Sequence, residues 1–134
     1  SIEANAHLVK YDSTHGTLPY DVETSKSGFK ILNQDIKVFA ERDPANLPWG
    51  KVGVDVVLEC TGLFLDKTSA EKHIKAGAKK VIISAPAKEV DYTVVQGVNS
   101  SELKKEHNVI SNGSCTTNCL APVAMVLEKN FGIE

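Results

Sequence analysis

The chain has 134 residues, 42% of them hydrophobic, enough apolar side chain for the core of one ordinary domain. Its 15 basic and 17 acidic residues are intermixed, for a formal net charge of -2, which excludes the one-sided footprint of a nucleic-acid or anionic-membrane binder. No apolar stretch reaches membrane-spanning length, no signal peptide is expected, and 3 cysteines, an odd number, argue against a disulfide framework and for a reducing, cytoplasmic setting.

In chain order, Ile2, Ala6 and Val9 fall at helical spacing and predict a short helix over residues 1–10. Tyr11-Asp12-Ser13-Thr14-His15-Gly16 is turn-rich and Pro19 follows, so residues 11–21 read as a connection. Phe29-Lys30-Ile31-Leu32 and Ile36-Lys37-Val38-Phe39 flank Asn33-Gln34-Asp35 and predict a β-hairpin. Arg42-Asp43-Pro44 breaks the second strand, and residues 45–50 read as a short turn or helix ending at Trp49-Gly50. Asp55-Val56-Val57-Leu58-Glu59-Cys60 is nearly continuous in apolar and β-branched residues. That pattern suits a parallel-sheet strand covered on both faces, with Thr61-Gly62 ending it.

Thr68-Ser69-Ala70-Glu71 has the form of a capping box, opening a helix that runs toward Ala76 and stops at Gly77. Lys80-Val81-Ile82-Ile83-Ser84 is the next buried strand, so strand, helix and strand make a βαβ unit. Tyr92-Thr93-Val94-Val95 continues the series. Asn99-Ser100-Ser101-Glu102 repeats the capping-box pattern before a short helix through Lys105, and Asn108-Val109-Ile110-Ser111 is the last strand. The fold class is therefore α/β with a parallel sheet, and the only boundary expected is the strand-to-helix junction near Ser114.

Past that junction, Leu120, Val123, Ala124, Leu127 and Phe131 recur at the spacing of one buried helix face, with Gly132 as its stop. Cys115 thus falls at a helix N-terminus behind a Ser114 cap, where unpaired N–H groups and the helix dipole favour an anion. Strong activation of a thiol also needs a neighbouring base, usually His, and spacing places none of His7, His15, His73 or His107 beside Cys115. Ser114, Thr116 and Thr117 add hydroxyls where a phosphate or a developing oxyanion would be stabilised. A nucleophilic sulfur beside an anion cradle suggests acyl transfer to or from phosphate. The plainer alternative is a buried thiol behind an ordinary cap. Cys119, four residues on, and Cys60, in a strand, read as packing thiols. No His or Cys pair has the spacing that would complete a metal site.

Ser114-Cys115-Thr116-Thr117-Asn118-Cys119, followed by Leu120-Ala121-Pro122, closely resembles the active-site signature of the glyceraldehyde-3-phosphate dehydrogenase family. Tyr11-Asp12-Ser13-Thr14-His15-Gly16, Glu59-Cys60-Thr61-Gly62, Ala76-Gly77-Ala78-Lys79-Lys80-Val81, Ser84-Ala85-Pro86 and Gly97-Val98-Asn99 resemble further family segments in the family's order, so the likeness covers essentially the whole chain. It implies an NAD-dependent, phosphorylating oxidation of D-glyceraldehyde 3-phosphate to 1,3-bisphosphoglycerate, the glycolytic step, as a property of a full-length enzyme. Cys115 would be the catalytic nucleophile and carry a thioester. Ser114, Cys115 and Thr116 would bind substrate and inorganic phosphate, with the Cys115 amide serving the oxyanion.

By the same resemblance Arg42, Thr61, Gly62, Phe64 and Ser84 would contact NAD, with Arg42 and Phe64 toward the adenine and Ser84 toward the nicotinamide. Residues 1–113 would form a partial Rossmann-like NAD-binding domain lacking its Gly-rich N-terminal βα unit, and residues 114–134 the first helix of a truncated catalytic domain. The partners implied are small molecules and, for the full-length enzyme, three further copies in a cytoplasmic homotetramer.

Two departures from the family pattern stand out. Gly113 replaces the usual Ala, which is expected to loosen the loop, and Cys60 replaces a common Ser. The family's pyrophosphate-binding glycine turn, catalytic His and substrate-phosphate Arg and Thr groups have no counterpart in these residues, so the 134-residue chain alone is expected neither to hold NAD tightly nor to catalyse. The competing readings are a sister enzyme acting on erythrose 4-phosphate, a non-catalytic nucleotide-binding module, and a thiol redox sensor built on Cys115 and Cys119.

Overall fold

A computed structural model describes residues 1–134, and the chain divides after Arg42 into two units, Ser1–Arg42 and Asp43–Glu134. The sequence has no linker composition there. Arg42-Asp43-Pro44 reads only as a strand breaker, and the junction near Ser114 lies inside the second unit.

In the first unit, helix α1 (Ile2–Lys10) starts at Ser1, whose hydroxyl accepts from the Ala4 amide at 3.3 Å. Strands β1 (Tyr11–Asp12) and β2 (Gly16–Thr17) form a tight antiparallel pair inside the segment read as a connection. There the Asp12 carboxylate accepts from the Thr14 and His15 amides and shapes the turn. The expected hairpin is the second half of a three-stranded antiparallel sheet made of β3 (Val22–Ser25), β4 (Gly28–Ile31) and β5 (Gln34–Lys37). Its loop is two residues, Leu32 and Asn33, because Ile31 pairs with Gln34. Helix α1 lies across β3, and Ala6 and Phe29 are the buried apolar residues of this unit. Gly28 is indispensable at its position, since a Cβ there would overlap the Ile36 carbonyl of the adjoining strand.

The second unit opens with a 3-10 turn at Pro44–Asn46 and helix α2 (Trp49–Val52). Trp49 thus begins a helix, where the sequence predicts an ending. Strand β6 (Val56–Glu59) leads to helix α3 (Lys67–Lys75), then to strands β7 (Lys80–Ile83), β8 (Tyr92–Thr93) and β9 (Val109–Ser111), and last to helix α4 (Cys115–Phe131). The four strands are all parallel, in the order β6-β7-β9-β8, which is the expected partial Rossmann-like arrangement. Val57, Ala70, Ala78, Val81, Ile83 and Val109 form the core under α3.

Some expectations need correction. Helix α3 is capped by Asp66, whose carboxylate accepts from the Ser69 amide at 2.9 Å, so it starts ahead of the Thr68 capping box. After Asn99 there is only a 3-10 turn, Ser100–Glu102, because the Asn99 side chain is spent on the Val95 amide and the Thr93 carbonyl. Strand β6 is covered on one face: Val57 and Glu59 are buried, while Leu58 is 66% exposed. Helix α4 likewise has no buried residue, so its apolar stripe and Cys119 are exposed, and so is Cys60 just past β6.

Candidate active site

Three parallel strands deliver their carboxyl ends to one edge of the second unit. Strand β6 ends at the Thr61-Gly62 turn, β7 at Ser84, and β9 at the loop that enters α4 at Cys115. In open α/β sheets this edge is where ligands bind.

At the end of β9, the Ser111 hydroxyl donates to the Ala85 carbonyl at 2.8 Å and accepts from the Gly113 amide at 3.0 Å. Gly113 is buried with φ of +67°, so the chain reverses there before the cap. Ser114 Oγ then accepts from the Thr117 amide at 2.9 Å and lies 2.8 and 2.7 Å from the Thr116 and Thr117 hydroxyls. Asn118 Nδ2 ties the loop to the helix by donating to the Asn112 and Ser114 carbonyls at 2.7 and 2.9 Å. With the Asn118 amide bonded to the Ser114 carbonyl, the Cys115 and Thr116 amides are the N–H groups of the first turn left to point at a ligand. Cys115 is exposed at that mouth, at the positive end of a 17-residue helix. The predicted cluster of Ser114, Cys115 and Thr116 is thus a contiguous surface of sulfur, hydroxyls and amides, the arrangement that accepts an anion or an oxyanion.

The strand β6 end is built differently. Glu59 is 3% exposed, yet its carboxylate is fully engaged. Oε1 accepts from the Thr61 amide at 2.8 Å and from the Thr61 hydroxyl, and Oε2 accepts from His73 Nε2 at 2.9 Å. His73, 4% exposed, accepts at Nδ1 from the Trp49 indole N–H at 3.0 Å, and Phe64 meets its ring edge-on at 6.2 Å. An indole nitrogen can only donate, so His73 Nδ1 carries no proton and its Nε2–H is the group that faces Glu59. Burial pushes the Glu59 carboxyl up, but hydrogen bonds from Thr61 and His73 outweigh it and hold the group below the ordinary glutamate range.

The predicted residues of this edge therefore sit together: Thr61, Gly62 and Ser84 are exposed on it, and Phe64 is half-buried against His73. The Thr61 hydroxyl is already committed, donating to Glu59 and accepting from the Leu63 amide at 3.1 Å, so Thr61 offers a ligand its main chain. Gly62, with φ of +74°, has open space where a Cβ would lie. Ser84 donates through both its amide and its hydroxyl to the Glu59 carbonyl, at 3.0 and 3.2 Å. Arg42 is exposed and is the last residue of the first unit. Glu59, His73 and Trp49 were missed as a group by sequence reasoning. The available signal was a glutamate occupying a core-facing position of an apolar strand.

Each histidine has a partner of its own within its unit. His73 belongs to the buried relay, His107 stacks on Tyr92 at 5.0 Å, His15 pairs with Asp12 at 3.0 Å and His7 packs on Tyr11 at 4.9 Å. No set of three or more His, Cys, Asp or Glu side chains is gathered to hold a metal ion, and no helix is long and apolar enough to cross a membrane.

Comparison with known proteins points one way. The family model described as glyceraldehyde 3-phosphate dehydrogenase, NAD binding domain, matches residues 1–67, and that for the C-terminal domain of the same family matches residues 114–134. Glyceraldehyde-3-phosphate dehydrogenase of Pseudomonas aeruginosa is 55% identical over 130 residues, covering 97% of this chain and 39% of the relative. The enzyme of that name from Geobacillus stearothermophilus is 57% identical over 129 residues, covering 96% of this chain and 38% of the relative. Glyceraldehyde-3-phosphate dehydrogenase 1 of Bacillus cereus is 55% identical over 130 residues, covering 96% and 39%. The chain therefore spans well under half the length of the relatives it matches.

Proposed function

The chain belongs to the glyceraldehyde-3-phosphate dehydrogenase family, and on that premise we propose that a full-length enzyme containing it carries out the NAD-dependent, phosphorylating oxidation of D-glyceraldehyde 3-phosphate. The observation that carries the reading is the exposed Cys115 sulfur in the first turn of α4, beside two outward amides and the hydroxyls of Ser114 and Thr116. Cys115, as thiolate, adds to the aldehyde carbon: a C–S bond forms and the carbonyl oxygen becomes an oxyanion, which the Cys115 and Thr116 amides stabilise. Bound NAD supplies the hydride acceptor. The carbon is then held as a thioester on Cys115. Ser114 and Thr116 hold inorganic phosphate at the helix mouth, where its oxygen attacks the thioester carbon, the C–S bond breaks, and the sulfur leaves as thiolate with 1,3-bisphosphoglycerate as the product.

The carboxyl edge of the sheet fits the cofactor. The Thr61-Gly62 turn presents main chain under open space, and Ser84 is exposed one strand over. In this reading Thr61, Gly62, Phe64, Ser84 and Arg42 contact NAD, residues 1–113 belong to the NAD-binding domain, and residues 114–134 begin the catalytic domain. The general base is a histidine other than His73 and His107, whose rings are held by Glu59 and Tyr92. The full-length enzyme works as a cytoplasmic homotetramer in glycolysis.

The test is Cys115→Ser in the full-length enzyme, assayed by NADH formation with glyceraldehyde 3-phosphate and phosphate. The expected loss is roughly a thousandfold or more in kcat. Rapid alkylation of Cys115 by iodoacetamide at neutral pH, prevented by the aldehyde, is expected alongside. Retained activity in the serine variant overturns the reading, and an inert thiol with no oxidation of any aldehyde favours a non-catalytic nucleotide-binding module. The 134-residue chain by itself is expected to show no NAD affinity in the micromolar range.

A further inference from the structure

A buried carboxylate is costly unless every oxygen is bonded, so a strand that places one in its core needs a reason. Glu59 occupies a core-facing position of β6 between the apolar sheet and α3, and it touches both strand ends of the proposed cofactor edge. Its side chain bonds the Thr61 amide and hydroxyl, and its carbonyl bonds Ser84. Behind it, His73 and Trp49 extend the chain of hydrogen bonds by two further links to helices α3 and α2.

From this we infer that Glu59 is a positioning residue for NAD, and that the Trp49–His73 pair fixes its orientation so that the Thr61-Gly62 turn is preset before the cofactor arrives. The inference rests on the dehydrogenase reading for the identity of the ligand. Each link has a fixed direction. Trp49 can only donate, so His73 Nδ1 must accept and Nε2–H must donate to Glu59. Glu59 then has acceptors alone to offer, and Thr61 supplies both donors. With its hydroxyl consumed inward, Thr61 presents the cofactor with main chain held by two hydrogen bonds and capped by the Leu63 amide. A preset turn binds without a cost of ordering, which is where such a relay acts on affinity.

The direction of the links yields a specific test. In Glu59→Gln the side chain keeps its shape but half its head becomes an NH2 donor. If the amide oxygen faces Thr61, the NH2 opposes His73 Nε2–H; if it is flipped, the NH2 opposes the Thr61 amide. In the full-length enzyme, E59Q is expected to raise both the KM and the equilibrium Kd for NAD about tenfold, with kcat at saturating NAD much less affected. Adding Trp49→Phe frees His73 to move its proton to Nδ1 and accept at Nε2 from the NH2 that E59Q introduces. The double variant is therefore expected to bind NAD more tightly than E59Q, by about threefold. A role confined to packing predicts the opposite, with two lesions adding.

A cooperatively melting E59Q whose NAD Kd stays within about twofold of wild type overturns the inference, as does a double variant that binds more weakly than E59Q. Should E59Q fail to fold, Trp49→Phe alone carries the test: a rise of about threefold in NAD Kd is expected, and no rise overturns it. Aldehyde oxidation by the wild type separates the two questions. A wild type that binds NAD but oxidises no aldehyde refutes the dehydrogenase reading, while the Kd series still reads the relay.

Discussion

Gly113 holds a backbone shape that almost any other residue would resist. Its φ of +67° lies in the left-handed region, its amide is pinned by Ser111 Oγ, and a Cβ would sit 3.4 Å from the Thr117 methyl carbon. The loop before Cys115 is therefore held rather than loosened by the glycine, contrary to the expectation from its replacing the family's usual Ala. Gly113→Ala is expected to cost about 1–2 kcal/mol, read as a drop of several degrees in Tm, because the alanine must adopt the same φ or pull Ser114 off its cap. At this scale the sequence was informative where chemistry is local. The Ser114 cap, the position of Cys115 and the hydroxyls around it follow from neighbours within one helical turn. The partners of Glu59 could not be read, because His73 and Trp49 lie 14 and 24 residues apart from their hydrogen-bonding partners and nothing in their spacing joins them.

Among the elements, Asp91 is the point where helix and sheet are fastened. Its carboxylate accepts from Lys67 Nζ at 2.6 Å at the start of α3 and from the Asn108 and Val109 amides at 2.8 and 2.9 Å at the start of β9. Burial raises the carboxyl, but Lys67 and the two amides prevail and bring it down to about 2 from 3.8. A depressed acid contributes stability above its unfolded value and loses it as pH falls through its folded value. The contribution, on the order of 1–2 kcal/mol after screening, is thus full above about pH 4 and gone below about pH 2. Asp91→Ala should lower Tm at neutral pH, with the gap to wild type closing as the pH drops across that window; a gap independent of pH would refute the account. The helices were legible because their apolar spacing and stops are periodic signals. Strand β3 was not, since Val22-Glu23-Thr24-Ser25 has a single apolar residue and is a strand only because β4 and α1 lie beside it. The start of α3 was misplaced for a similar reason: Asp66 and Thr68 both suit a cap, and the Lys67 amide's bond to the Lys88 carbonyl at 3.0 Å favours the earlier one.

For the whole molecule, the governing fact is apolar surface left open. Leu58 at 66%, Leu120 at 67% and Phe131 at 83% exposure are on segments whose sequence predicts burial, and Pro122, Val123, Val126 and Leu127 line a shallow apolar hollow on α4. The pattern in the sequence was right about character and wrong about cover: periodicity reports which face is apolar, not whether anything lies against it. A surface of this kind binds hydrophobic dyes, so the 134-residue chain should enhance ANS fluorescence strongly, and Val123→Lys with Leu127→Lys should reduce it without altering the melt of the parallel sheet. Weak dye binding by the unaltered chain would contradict the exposed stripe.

Beside the Trp49–His73 contact, helix α2 meets the turn that ends α3 backbone to backbone. Gly50 donates its amide to the Ala76 carbonyl at 3.0 Å, and a Cβ on Gly77 would come within 2.5 Å of Gly50. That approach leaves no room for a side chain at Gly77, so it fixes how closely the backbones carrying the indole and the imidazole can come together. Gly77→Ala would therefore push the two backbones apart and lengthen the indole-to-imidazole hydrogen bond beside them.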